Sequence, residues 1–147
     1  MELISSAFQD GKMISDRYSC KGDNINPPLE FVDVPSSAKS LALVLDDPDA
    51  PGGSFIHWVV YDIDSNVSKI EEDSIPQGAI IGQNSMEKTY YVGPCPPSGV
   101  HHYIFKAFAL DTILNLGQID WYALEEAMDR HIIDKAELVG IYGKTGG

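Results

Sequence analysis

Along most of this chain apolar residues fall in short unbroken runs rather than in helical stripes. Leu41-Ala42-Leu43-Val44-Leu45 runs straight into Asp46-Asp47-Pro48-Asp49-Ala50-Pro51, and a second run opens at His57-Trp58-Val59-Val60. Five consecutive apolar residues bounded by turn chemistry suit a strand covered on both faces, and the prolines lack the amide donors that would continue a ladder. The pattern therefore predicts strand, sharp exit, strand, with Asp46, Asp47, Asp49 and His57 gathered where a buried sheet ends. Spacing alone leaves those carboxylates either capping the turn or lining a cleft.

The rest of the chain is read in the same way. Leu3 to Phe8 is a short strand, and Gln9-Asp10-Gly11-Lys12 is a turn expected to fold a second short segment back as a hairpin. Asp16 to Pro28 is rich in Gly, Asn, Asp and Pro, so a long fixed loop is expected, anchored by Arg17 and Tyr18. Leu29 to Val32 is a brief strand, and Trp58 to Ile63 a core strand. Asp64 to Met86 has no sustained period and reads as irregular covering structure. Gly93-Pro94-Cys95-Pro96-Pro97-Ser98-Gly99 is stiffened by three prolines. In the strand that follows, His101, Tyr103, Phe105, Ala107 and Ala109 share one face, while His102, Ile104, Lys106, Phe108 and Leu110 share the other. Asp120 to Ile133 is the one persuasive helix, capped by Asp120, with Leu124, Ala127, Met128, His131 and Ile132 near one stripe. Ala136 to Gly143 closes the chain as a last strand. The expected class is all-β, mainly antiparallel.

Composition narrows the function. A length of 147 residues, 44% hydrophobic and 22% charged, suits one globular domain over residues 1–147. The formal net charge of -12 opposes nonspecific attraction to nucleic acid or an anionic bilayer, although a local donor cluster can still select one small anion. No basic leader and no stretch long enough to span a membrane is apparent, so a cytoplasmic protein without an integral membrane segment is expected. Cys20 and Cys95 match no zinc or CxxC spacing, and two reduced thiols are expected in preference to a disulfide.

Five segments in order, DRYSCKGDNINPPLEF, LVLDDPDAP, HWVVYDI, GPCPPSGVHHYIF and ELVGIYG, resemble the phosphatidylethanolamine-binding protein family, in particular its short prokaryotic branch of Raf kinase inhibitor-like proteins. The resemblance spans nearly the whole chain, and its combination of parts is more specific than any one of them. It implies a mainly antiparallel β-sandwich with one or two peripheral helices and a small cavity for phosphate or a phospholipid headgroup. By matching position, Asp47 and Asp49 fall in the family's DPDxP segment. His57 opens the next strand, Gly93 and Pro94 begin the Gly-Pro wall, and His101 with Tyr103 forms the H-x-Y pair. Three departures stand out. His102 replaces a frequent arginine, which makes any cation there pH-dependent. Phe31 replaces a frequent tryptophan, and no counterpart of the eukaryotic C-terminal helix is seen.

Chemistry supports the same site without the resemblance. An anion needs convergent donors, which imidazole N–H, tyrosine O–H and loop amides supply, while carboxylates fix histidine tautomers. The ligand-binding candidates are thus Asp47, Asp49, His57, Gly93, Pro94, His101 and Tyr103, with His131 read as structural. The expected ligand is a small anionic or phosphorylated molecule, with no metal and no cofactor. A protein partner and a homodimer are both compatible with the sequence. Catalysis is not expected, since HExxH, G-x-S-x-G and P-loop patterns do not occur. The alternatives are a surface-acting inhibitor of a hydrolase or kinase, or a hydrolase using the Asp/His cluster.

Overall fold

The computed structural model describes residues 1–144. Its strands are β1 (Glu2–Ile4), β2 (Lys12–Met13), β3 (Leu29–Val32), β4 (Ser40–Asp47), β5 (Phe55–Asp64), β6 (Lys69–Ile70), β7 (Ile80–Ile81), β8 (Val100–Leu110) and β9 (Ile132–Gly143). Among the described residues a single 3₁₀ turn spans Asp16–Tyr18, and one α-helix, α1, spans Trp121–Met128. The strands form two sheets, ordered β1-β3-β6 and β2-β9-β8-β4-β5-β7. The fold is mainly β, and every pairing except β2 with β9 is antiparallel.

β4 is buried along its whole length, and its two faces serve different neighbours. Leu41, Leu43 and Leu45 join a cluster with Trp58, Val60, Tyr103 and Phe105 that also takes Leu3, Leu29, Phe31 and Ile70 from the smaller sheet. Ala42 and Val44 point the other way, into a cluster with Val59, Tyr61, Phe108, Leu124 and Met128 beneath α1. A strand covered on both sides needs the continuous apolar run seen in the sequence.

Several expectations are corrected. β1 and β2 do not form a hairpin: β1 pairs with β3, while β2 crosses to the larger sheet and runs parallel to β9. Turn chemistry at Gly11 bends the chain, but the choice of partner belongs to strands far away in sequence. The helix ends at Met128, not Ile133. Arg130 takes φ 74, and Ile132 and Ile133 already belong to β9, where Ile132 pairs with Leu110. β6 and β7 lie within the stretch expected to be irregular, each only two residues long. Arg17 and Tyr18 do anchor their loop, since both reach Glu72, at 2.7 Å and 2.9 Å.

Candidate functional site

β4, β5 and β8 end together, and each delivers part of the cluster. Asp46 pairs with Ile104, so Asp47 lies one residue beyond, level with Tyr103. His101 and Tyr103 sit two apart on the inward face of β8 and are both buried. His57 arrives by a different route. Leu45 pairs with Trp58 and Asp46 with Ile56, which leaves His57 as the extra residue of a β-bulge. A bulge breaks the alternation of a strand and re-aims a side chain. Ile56 accordingly falls in the cluster under α1, whereas His57 and Trp58 both turn to the opposite side, His57 meeting the Tyr103 ring edge-on at 5.4 Å.

Both imidazoles have Nδ1 committed. His57 Nδ1 donates to the Val92 carbonyl at 2.7 Å, and His101 Nδ1 donates to Asp47 Oδ2 at 2.7 Å. The second Asp47 oxygen accepts the Asp49 amide at 2.9 Å, so one carboxylate both caps the turn and fixes a histidine. Burial pushes the His57 pKa below the usual histidine value, against the smaller opposing effects of the Val92 carbonyl, Asp47 and Asp46. At neutral pH its Nε2 is therefore an acceptor.

Tyr103 is fully buried, and its hydroxyl has no hydrogen-bond partner among the described residues. Burial, then the nearby Asp47 charge, raises its pKa well above the ordinary tyrosine value, while the Cys95 amide opposes. The amide and the carboxylate lie close enough to act on the phenol but do not complete a hydrogen bond with it.

The Gly-Pro wall is held from behind by the loop that follows the 3₁₀ turn. The Gly93 amide donates to Asn24 Oδ1 at 2.7 Å, the Cys20 amide to the Pro94 carbonyl at 3.1 Å, and the Tyr91 hydroxyl to the Tyr18 carbonyl at 2.7 Å. A Cβ on Gly93 would stand 2.1 Å from the Tyr18 carbonyl oxygen, so only glycine allows this approach. The expectation of two free thiols is overturned here. Cys20 and Cys95 are joined by a disulfide with their Cα atoms 5.5 Å apart, although 75 positions separate them. Loop packing, invisible to spacing rules, creates that proximity, and the thiols no longer argue for a reducing compartment.

The seven candidates do not all meet. Asp47, His57, His101 and Tyr103 form one buried cluster, with Gly93 and Pro94 buried beside it. Asp49 lies outside, exposed, accepting both the amide and Nδ1 of His102 at 2.7 Å; these bonds hold its pKa below the usual aspartate value. Phe55, 4.8 Å from the His57 ring, and Asn24 were missed as site residues. Asn24 had a signal, being an asparagine in a loop rich in turn residues, and it takes φ 57. A surface depression of about 680 Å³ is bounded by the disulfide, Lys21, Val100 and Tyr142, and none of Asp47, His57, His101 and Tyr103 lines it. Among the described residues, no three His, Cys, Asp or Glu side chains gather closely enough to hold a metal ion, and no helix is long and apolar enough to cross a membrane.

The family model for phosphatidylethanolamine-binding protein matches residues 4–143. The chain belongs to this family. It is 45% identical to a relative from Methanothermobacter thermautotrophicus over 97% of this chain and 98% of that one. It is 44% identical to a relative from Chlamydia pneumoniae, over 99% and 100%. Among solved structures, a phosphatidylethanolamine-binding protein homologue from Chlamydia trachomatis superposes with a TM-score of 0.93 at 44% identity, covering 97% of both chains. An E. coli structure, described as a new member of the mammalian PEBP family, gives a TM-score of 0.91 at 28% identity over 98% of both. As a phosphatidylethanolamine-binding protein family member, the chain draws its buried cluster from the DPDAP, HWVVYDI and HHY segments that carried the resemblance, with Gly93 and Pro94 of GPCPP beside it.

Proposed function

We propose that this protein, as one β-sandwich domain, binds a small anion or the phosphate of a phosphorylated ligand at the cluster of His57, His101 and Tyr103. Asp47 orients the cluster, and Gly93 and Pro94 form its wall. The observation that carries the reading is the Tyr103 hydroxyl. A buried hydroxyl without a partner costs about 1–3 kcal/mol, and a ligand oxygen would supply the missing bond. With both Nδ1 atoms engaged, the Nε2 atoms of His57 and His101 are the groups left to meet a ligand. Asp49 and His102 would act at the rim rather than in the floor.

The depressed His57 pKa adds a requirement. A neutral Nε2 repels an anion's oxygen unless a proton arrives with it, so binding is coupled to proton uptake or selects a ligand that still carries an acidic hydrogen. Titration calorimetry of inorganic phosphate against wild type, His57→Ala, His101→Ala and His131→Ala tests the reading. Each charge-assisted bond is worth roughly 1.5–3 kcal/mol, so the first two variants should bind about tenfold more weakly or worse, and the third like wild type. Equal affinity across all four would refute it. We assign the site to binding rather than turnover, and a screen of phosphoryl and acyl substrates checks that assignment. Cytoplasmic placement is retained as part of the proposal, to be tested by fractionation of the native cell.

A further inference from the structure

The Cys20–Cys95 disulfide joins the two segments that together make the wall of the site, and both cysteines are exposed. Cys95 occupies a boundary. Its amide lies next to the buried Tyr103 phenol, while the same residue also lines the depression of about 680 Å³. The neighbouring Cys20 amide binds the Pro94 carbonyl, and Gly93 is tied to Asn24, so residues 93 and 94 have other restraints. From Cys95 to Gly99 the bridge is the covalent tie to the opposite loop. Asp47, His57, His101 and Tyr103 are all at least nine-tenths buried, so a ligand reaches them only if the segments around them give way, and residues 93–99 are one of those segments.

We infer that the Cys20–Cys95 disulfide is a redox-controlled clip on the binding site: reduction frees residues 95–99, weakens ligand affinity and speeds ligand exchange. This rests on the binding reading above. Exposed disulfides are the ones open to attack and the more readily reduced class. A dithiol reductant accomplishes the step. One of its thiolates attacks the sulfur of either cysteine, the S–S bond breaks, and the other cysteine leaves as a thiolate that takes up a proton. The reductant's second thiolate then displaces the first cysteine, which is protonated in turn. The dithiol closes to a disulfide, and the two electrons it loses reside on Cys20 and Cys95. A pre-ordered wall spares a ligand the cost of ordering it, so freeing the wall lowers affinity by about three- to tenfold.

The test uses the full chain in three forms: oxidised, reduced with dithiothreitol, and the Cys20→Ser/Cys95→Ser double variant. Intact mass establishes the redox state, hydrogen exchange reads residues 93–99 and 16–24, and inorganic phosphate serves as the probe. The proposal expects faster exchange in those segments alone, phosphate affinity about three- to tenfold weaker, recovery on reoxidation, and a double variant that behaves as the reduced form and ignores reductant. Unchanged exchange and affinity once the mass shows the bridge open would overturn it, as would a bridge that native protein keeps intact against the dithiol. Faster exchange without phosphate binding in any form would sink the binding reading while upholding the clip.

Discussion

His101 donates from Nδ1 to Asp47 Oδ2 across the adjoining ends of β8 and β4, and the other oxygen of that carboxylate holds the Asp49 amide. One buried side chain thus sets the shape of the turn and the tautomer of a proposed ligand-binding histidine. Asp47→Asn separates the two tasks. The amide oxygen can still accept from Asp49, but it cannot at the same time accept from His101, and its NH₂ favours the other tautomer. The expected result is a folded protein with phosphate affinity reduced about tenfold or more, read by calorimetry, and a downfield-shifted or exchange-broadened His101 ring signal by NMR.

Tyr103→Phe is expected to separate stability from binding. Removing an unpartnered buried hydroxyl relieves a cost of up to about 1–3 kcal/mol, so thermal stability should hold or rise. Phosphate affinity should fall about tenfold. A fall in stability would mean that the hydroxyl is satisfied in the free protein.

Protonation of His57 gives a pH test whose sign is fixed. Its folded pKa is lowered by burial, so just below the unfolded value of about 6.5 the unfolded chain binds more protons, and stability rises with pH there. The contribution is complete above about 6.5 and is lost as pH falls through the folded value. His57→Gln should flatten that part of a urea-denaturation profile. The carboxylates held low, Asp49 and Glu72 among them, lose their contribution only below the ordinary aspartate and glutamate range. Phosphate binding should take up protons and strengthen from about pH 8 toward about pH 6, visible as a buffer-dependent binding enthalpy.

Leu43 is fully buried between both sheets, and Leu43→Ala should cost about 2–5 kcal/mol in chemical denaturation. A loss under about 1 kcal/mol, the range of surface changes, would contradict its burial. His131, paired with Asp111 at 2.8 Å on an exposed face, should show only a surface-sized effect when changed to Ala.

The sequence by itself determined the strands whose pattern is local and strong. The five-residue apolar run of β4, the alternation of β8 and the cap at Asp120, which accepts the Ala123 amide, are all written in consecutive residues. The motif order was enough to mark the family and to name the four residues that meet in the cluster. Three things were decided only by tertiary structure. The partner of β2 is β9, because pairing is chosen by distant strand edges and not by the turn at Gly11. His57 faces Tyr103 because β4 and β5 slip by one residue at a bulge, a feature of two strands together that neither sequence segment carries alone. Cys20 meets Cys95 because Asn24, Tyr18 and the Pro94 carbonyl dock one loop against another, and contacts across 75 positions leave no trace in spacing. Local pattern fixes which face a side chain seeks, whereas register and loop docking fix what it finds there.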